Sequence, residues 1–144
     1  MCQMLRRLRR DQRGVAALEF VVIGGIMVTV MLAAYDFGNA AQEQIALQQA
    51  VKAGAQYAQY FPAATSNDIQ NEVTSALPNG WTLSSAPAVA CSCNGTAYTC
   101  GSPPSSCPLP VTVAVTATMS YTSLTSLFAG AIPNNTASYE VRIQ

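Results

Sequence analysis

The chain of 144 residues is half apolar, only 10% charged, formally neutral and free of histidine. This composition excludes a disordered polyelectrolyte and a nucleic-acid binder working through basic patches, and it removes the commonest general base and zinc ligand. Neutrality conceals a division at Gly14: residues 1–14 hold five arginines against Asp11, a net +4, while residues 15–144 hold Lys52 and Arg142 against six carboxylates, a net −4.

Residues 15–34 follow that boundary, apolar on every side with Glu19 as the only charge. Twenty helical residues reach about 30 Å, the thickness of a hydrocarbon core, so the segment reads as a transmembrane helix. The arginine cluster holds its N-terminal end in the cytoplasm and sends the remainder outward. A plain anchor, a removable secretory signal ending near Gly38-Asn39-Ala40, and a segment with its own sorting rule compete for this head. The run is long for a signal peptide, and a carboxylate within it is costly under either simple reading.

Arg13-Gly14-Val15-Ala16-Ala17-Leu18-Glu19-Phe20 resembles the prepilin peptidase site of type IV pilin-like proteins. With Gln12 before it and Tyr35-Asp36-Phe37-Gly38 closing the apolar run, it is similar to the TadE-like pseudopilins of tight-adherence (Tad) pili. The resemblance is strong over residues 12–39. It recurs weakly in Val111–Tyr121, in Ser123-Leu124-Thr125-Ser126-Leu127 and in the last strand, whereas residues 62–108 carry no part of it. It implies a leader at 1–14, cleavage after Gly14, Val15 as the new N-terminus, and Glu19 and Phe20 as assembly residues. Where the family usually has a proline past the glutamate, this chain has Gly24-Gly25, which also weakens a helix, by about 1 kcal/mol per glycine relative to alanine. In a helix, Val15 and Glu19 are i and i+4 neighbours on one face, so a new amine and the carboxylate meet within a chain or between chains.

Residues 39–60 lack proline, are rich in Ala and Gln, and continue the helix. Phe37, Ala41, Ile45, Gln48, Val51, Ala55 and Ala58 recur every three or four positions, predicting a small-residue stripe on one side. The stripe serves either as the seat of the chain's own head or as a subunit contact. Pro62 ends the helix, which at residues 15–61 would be about 70 Å long.

Residues 62–144 predict a small antiparallel-sheet head, making the whole an α+β, pilin-like fold. Thr65 or Ser66 caps a short helix with Asp68 in its first turn and Ile69, Val73, Ala76 and Leu77 on one side. After the Pro78-Asn79-Gly80 break, Trp81–Ser85 is expected to begin the sheet. Val111–Tyr121 and Ala137–Ile143 alternate as strands, with the long helix over their apolar face. Leu124, Leu127 and Phe128, closed by Gly130 and Pro133, predict a short helix or turn lying on the sheet.

Cys91, Cys93, Cys100 and Cys107 form an even set within a loop, 91–107, of an exported segment, the pattern of a disulfide staple. The C-x-C-x6-C-x6-C spacing lacks a zinc-knuckle pair, and nothing near the Cys-Ser-Cys pair lowers a thiol pKa for redox work. Cysteines at i and i+2 rarely bond each other, leaving 91–100 with 93–107 or the nested 91–107 with 93–100. A hairpin over Asn94-Gly95 favours the nested form. Asn94-Gly95-Thr96 and Asn134-Asn135-Thr136 match the glycosylation acceptor pattern but read as turns. No calcium spacing or phosphate loop is present, so no catalytic residue, cofactor or metal is expected.

The expectation is a non-enzymatic minor pilin or pseudopilin, processed after Gly14 and built through its helix into a Tad-type pilus or its priming or tip complex. The implied partners are a prepilin peptidase, an inner-membrane assembly platform, other pilins and the membrane, with no nucleic acid. The implied location is the bacterial inner membrane as a single pass, then the pilus. The alternative from another class is a membrane-anchored or secreted periplasmic binding module with a stapled ligand loop.

Overall fold

The computed structural model describes residues 13–102, 105, 107, 111–123 and 134–143, with side chains from residue 16 onward. Helix α1 runs unbroken over Arg13–Tyr60, 48 residues or about 72 Å. It passes through Gly24-Gly25 without a break, and the Thr29 hydroxyl donates to the Gly25 carbonyl at 2.9 Å. Helix α2, Ser66–Ser75, is started by Thr65 through a capping box: its side chain accepts from the Asp68 N–H while the Asp68 carboxylate accepts from the Thr65 N–H at 2.9 Å.

The head carries one four-stranded antiparallel sheet, ordered β2-β1-β3-β4, with β1 at Ala88–Cys93, β2 at Thr96–Tyr98, β3 at Val111–Met119 and β4 at Asn135–Ile143. In β3, Val111, Val113, Val115, Ala117 and Met119 are buried beneath α1, and the intervening residues are half-buried on the other face. The core joins these side chains to Leu47, Ala50, Val51, Ala55 and Ala58 of α1 and to Ile69 and Val73 of α2. The α+β, pilin-like architecture is the expected one: a long helix, half of it packed on its own small sheet.

Several boundaries differ from the sequence reading. Trp81–Ser85 forms no strand. Ser84 alone holds to β3, its N–H donating to the Thr118 carbonyl at 3.0 Å, and Pro87, lacking an N–H, interrupts the ladder before β1. Strand β3 stops at Met119, so Tyr121 leaves the sheet, while β4 starts two residues early at Asn135. The element expected around Leu124, Leu127 and Phe128 lies outside the described residues.

The α1 stripe is also displaced in its lower half. Val51, Ala55 and Ala58 are buried as expected, but below them the buried positions are Asp36, Ala40, Leu47 and Ala50, while Ala41 and Gln48 are exposed and Phe37 and Ile45 are 53% and 55% exposed. Apolar periodicity predicts Phe37 inward. The fold instead buries its polar neighbour, because hydroxyl groups of the head wait there for a carboxylate.

The disulfides are Cys91–Cys100 and Cys93–Cys107, with Cα separations of 5.4 and 5.9 Å. The nested pairing is therefore corrected, by the same Asn94-Gly95 turn that favoured it. Asn94 and Gly95 both have positive φ, 48° and 82°, the two-residue hairpin turn. That turn sets Cys93 against Thr96 and Cys91 against Tyr98. Cys100, two residues beyond Tyr98, has then travelled back past Cys91 and away from Cys93. Cys107 reaches Cys93 because β3 begins at Val111, directly opposite Cys93.

Gly54 is where α2 crosses α1 most closely: a Cβ there would collide with a Val73 methyl and stand 3.3 Å from the Ile69 carbonyl. Gly54→Ala is expected to lower stability by about 1–2 kcal/mol, the overpacking cost outweighing the helix propensity gained, as read by denaturant unfolding in detergent. Cys91→Ser with Cys100→Ser should cost about 2–5 kcal/mol in the same assay, while the unmodified protein should offer no alkylatable thiol among the four cysteines of the head.

Candidate functional site

Two regions of α1 face different surroundings. From Leu18 to Met31 the large apolar side chains are between 54% and 78% exposed, and among the described residues none buries the apolar stretch. Burying one such side chain is worth about 1.5–3 kcal/mol, so ten of them left in water would rival the whole stability of a small domain. This half of the helix needs lipid or other subunits. From Asp36 upward the helix meets the head.

The junction is made by Asp36, which is fully buried. The Tyr121 hydroxyl donates to the Asp36 carbonyl at 2.9 Å, with its carboxylate Oδ1 at 3.4 Å, and the Ser123 hydroxyl donates to Oδ2 at 2.8 Å. One turn higher, the Asn135 amide stands 3.4 Å from both the Ala40 carbonyl and the Glu43 carboxylate, and Gln44 donates to the Thr136 carbonyl at 3.1 Å. Three connections thus fix the lower edge of the head to the stretch of α1 between Asp36 and Gln44. Among the described residues, no buried side-chain nitrogen or oxygen lacks a partner.

Beside the junction lies a half-open cavity of about 260 Å³ between α1 and the loops around Trp81 and Tyr121. Tyr35, Trp81 and Tyr121 supply aromatic walls, and Asp36 and Glu43 supply carboxylates. Burial pushes the Glu43 carboxyl above its ordinary 4.5, opposed by the hydrogen bond from Asn135. The Tyr121 hydroxyl is raised above 10, first by burial and then by the neighbouring Asp36. Among the described residues, no group of three or more acidic or cysteine side chains is arranged to hold a metal ion.

The expected site residues are not gathered in one place. Gly14 and Val15 lie in the first turn of α1, where Val15 and Glu19 keep the i, i+4 relation, and Glu19 and Phe20 are exposed. Asp36 is seventeen residues above Glu19, about 25 Å along the helix. The four cysteines sit in the head: Cys91 and Cys100 are buried, and Cys93 and Cys107 are half-buried. Asp36, Glu43, Trp81 and Tyr121 were not singled out as site residues from the sequence. The available signal was an aspartate inside a helix otherwise apolar from Phe20 to Phe37, a position that calls for a partner.

The model of the TadE-like protein family matches residues 14–56. Over this segment the chain is similar to that family. The match begins at the glycine of the expected cleavage site and ends four residues short of the end of α1, so it covers the helix and none of the sheet. No curated protein and no solved structure matches the chain. The likeness therefore concerns the helix, and the head lies outside it.

Two outcomes follow for the junction. Asp36→Ala is expected to destabilise the docked head by about 1–3 kcal/mol, since it removes the carboxylate to which the Ser123 hydroxyl donates while Tyr121 keeps the backbone carbonyl, and Tyr121→Phe by about 1–2 kcal/mol. Glu43 sets a pH dependence. The folded chain keeps the Glu43 proton above the pH at which the unfolded chain releases it, so this contribution is present below about pH 4.5 and is lost as pH rises through the elevated folded value. Glu43→Gln should remove that decline and leave the protein at least as stable at neutral pH, as read from unfolding midpoints across pH 4–8.

Proposed function

We propose that the protein is a minor pilin or pseudopilin, cut after Gly14 by a prepilin peptidase and assembled through α1 into a Tad-type pilus or its priming or tip complex. The observation that carries this reading is the coincidence of a TadE-like match starting at Gly14 with an apolar helix whose side chains find no cover within the chain. The role is structural rather than enzymatic. Its partners are the peptidase, an inner-membrane assembly platform and other pilins, and the path runs from a single-pass inner-membrane form, N-terminus in the cytoplasm, to the pilus.

Cleavage would remove most of the positive charge and create an amine at Val15. Glu19, one turn away, is exposed in the single chain and can snorkel at the membrane edge. Inside a bundle of helices it loses water, and a buried carboxylate then requires a cation. The Val15 amine of its own or a neighbouring chain supplies it. Phe20, 78% exposed, adds apolar area for the same contact.

The mature N-terminus is the primary test: mass spectrometry of envelope protein should give Val15. Ala41 would instead identify a secreted module and Met1 a simple anchor. Glu19→Ala should leave insertion and cleavage largely intact but strongly reduce the fraction recovered in sheared filaments or crosslinked to other pilins, with Glu19→Asp intermediate. Incorporation of Glu19→Ala at the unmodified level would remove the contact on which the assembly reading depends.

A further inference from the structure

We propose that Glu43, in the cavity beside Trp81, takes the Lys52 ammonium of another copy of this chain, whose helix lies parallel and is displaced by about 13 Å toward the N-terminal end. This rests on the proposed assembly through α1 and names one contact within it. The placement of the two charges is the first argument. Both stand on α1, nine residues apart, which is about 13 Å along the helix and about two and a half turns around it. They therefore occupy opposite flanks and cannot meet within one chain. Glu43 lines cavities against Trp81, Met119 and Ser120, on the side of β3 where Ser84 donates to the Thr118 carbonyl and β1 follows. Lys52 lines a groove with Gln48 and with Thr136 to Tyr139 of β4, the last strand at the other side of the sheet. Among the described residues no strand pairs with the outer edge of β4, so this flank is open to a neighbour.

Chemistry is the second argument. An ammonium is held well where a carboxylate and aromatic faces converge away from bulk water. Tyr35, Trp81 and Tyr121 wall the cavity, and burial has already raised the Glu43 carboxyl above its ordinary 4.5. A cation there offsets the cost of that burial. Lys52 is exposed, and the positions three and four residues to either side of it are glutamine or alanine, so its own helix offers it no carboxylate. The level of Glu43, about 13 Å past Ala34, is beyond a headgroup layer about 5–7 Å deep, which makes protein rather than lipid the source of the cation. Symmetry then selects the arrangement. Two copies related by a two-fold axis along their helices would set Glu43 against Glu43 or Lys52 against Lys52, and like charges repel. A copy that turns its Glu43 flank to one neighbour and its Lys52 flank to the next makes a heterologous contact, the kind that propagates into a filament. Chains anchored at one depth keep the two charges at different levels, so the contact forms once subunits are staggered.

The test uses the full chain in cells that assemble it, with a carbodiimide that condenses a carboxylate with an amine in direct contact. Peptide mass spectrometry should find Glu43 joined to Lys52 in sheared filaments, and about tenfold less of this product in the membrane-resident fraction. Coexpressed Glu43→Gln and Lys52→Gln chains should still give it, which only a contact between copies allows. Glu43→Lys should lower the share of protein in filaments about tenfold, and Lys52→Glu in the same chain should restore most of it, because the exchanged charges meet again. Intact head disulfides report that each variant is folded. Glu43 joined only to an amine of a different pilin, or equal product in the membrane-resident fraction, would overturn the staggered contact while leaving assembly through α1 in place. Incorporation of Glu43→Lys at the unmodified level would do the same, as would a folded double variant that is not restored. Absence of the unmodified chain from filaments would remove the assembly reading and this contact with it.

Discussion

The burial of Asp36 between two hydroxyls is the interaction on which the remaining architecture depends. A helix about 72 Å long has to be apolar all round in one half and one-sided in the other, and the change occurs where the Tyr121 hydroxyl reaches the Asp36 carbonyl and the Ser123 hydroxyl its carboxylate. Below that point no described residue covers the helix. Above it, each turn presents small residues to the sheet. A buried carboxylate has to be hydrogen-bonded, so the Ser123 hydroxyl favours the rotation of the head that turns the Asp36 face of the helix inward.

Small residues then allow the close approach. Ala40, Ala50, Gly54, Ala55 and Ala58 bring α1 near to β3, β4 and α2, so the side chains of β3 and of Ile69 and Val73 fill space that larger helix residues would occupy. The crossed disulfides act at the far side of the sheet. They tie the short β1–β2 hairpin and the following loop to β1, where a three-residue edge strand would hold poorly by itself. Each device serves the same end: a head of about eighty residues becomes rigid relative to a helix whose other half has to remain available.

That division suits the proposed function, in which lipid would cover the Leu18–Met31 surface in the membrane, helices of other subunits would cover it in an assembly, and Glu19 would change partner between the two. Phe37 and Ile45, left outside by the rotation that Asp36 imposes, extend the apolar surface beyond the hydrocarbon zone along the exposed side of the helix. The head adds nothing to this surface directly. Its contribution is to hold the helix in one orientation through the junction at Asp36.

The features that the amino-acid sequence alone determined are those governed by local pattern. Twenty apolar residues after a run of arginines define the helix, Thr65 with Asp68 defines the start of α2, and strict alternation over Val111–Met119 defines β3. The glycine, glutamate and aromatic at 14, 19 and 20 pointed to the TadE-like class through short-range spacing. Tertiary structure decided what depends on residues far apart in the chain. Asp36 meets Tyr121 across eighty-five positions, and no period in the helix encodes that meeting; apolar periodicity even favoured the neighbouring Phe37. The disulfide pairing required the register of a hairpin rather than its presence, since one turn fixes how far Cys100 runs back past Cys91. Trp81 reads in sequence as the start of a strand, and only the break at Pro87 and the position of Tyr121 beyond the end of β3 turn it into the wall of a cavity.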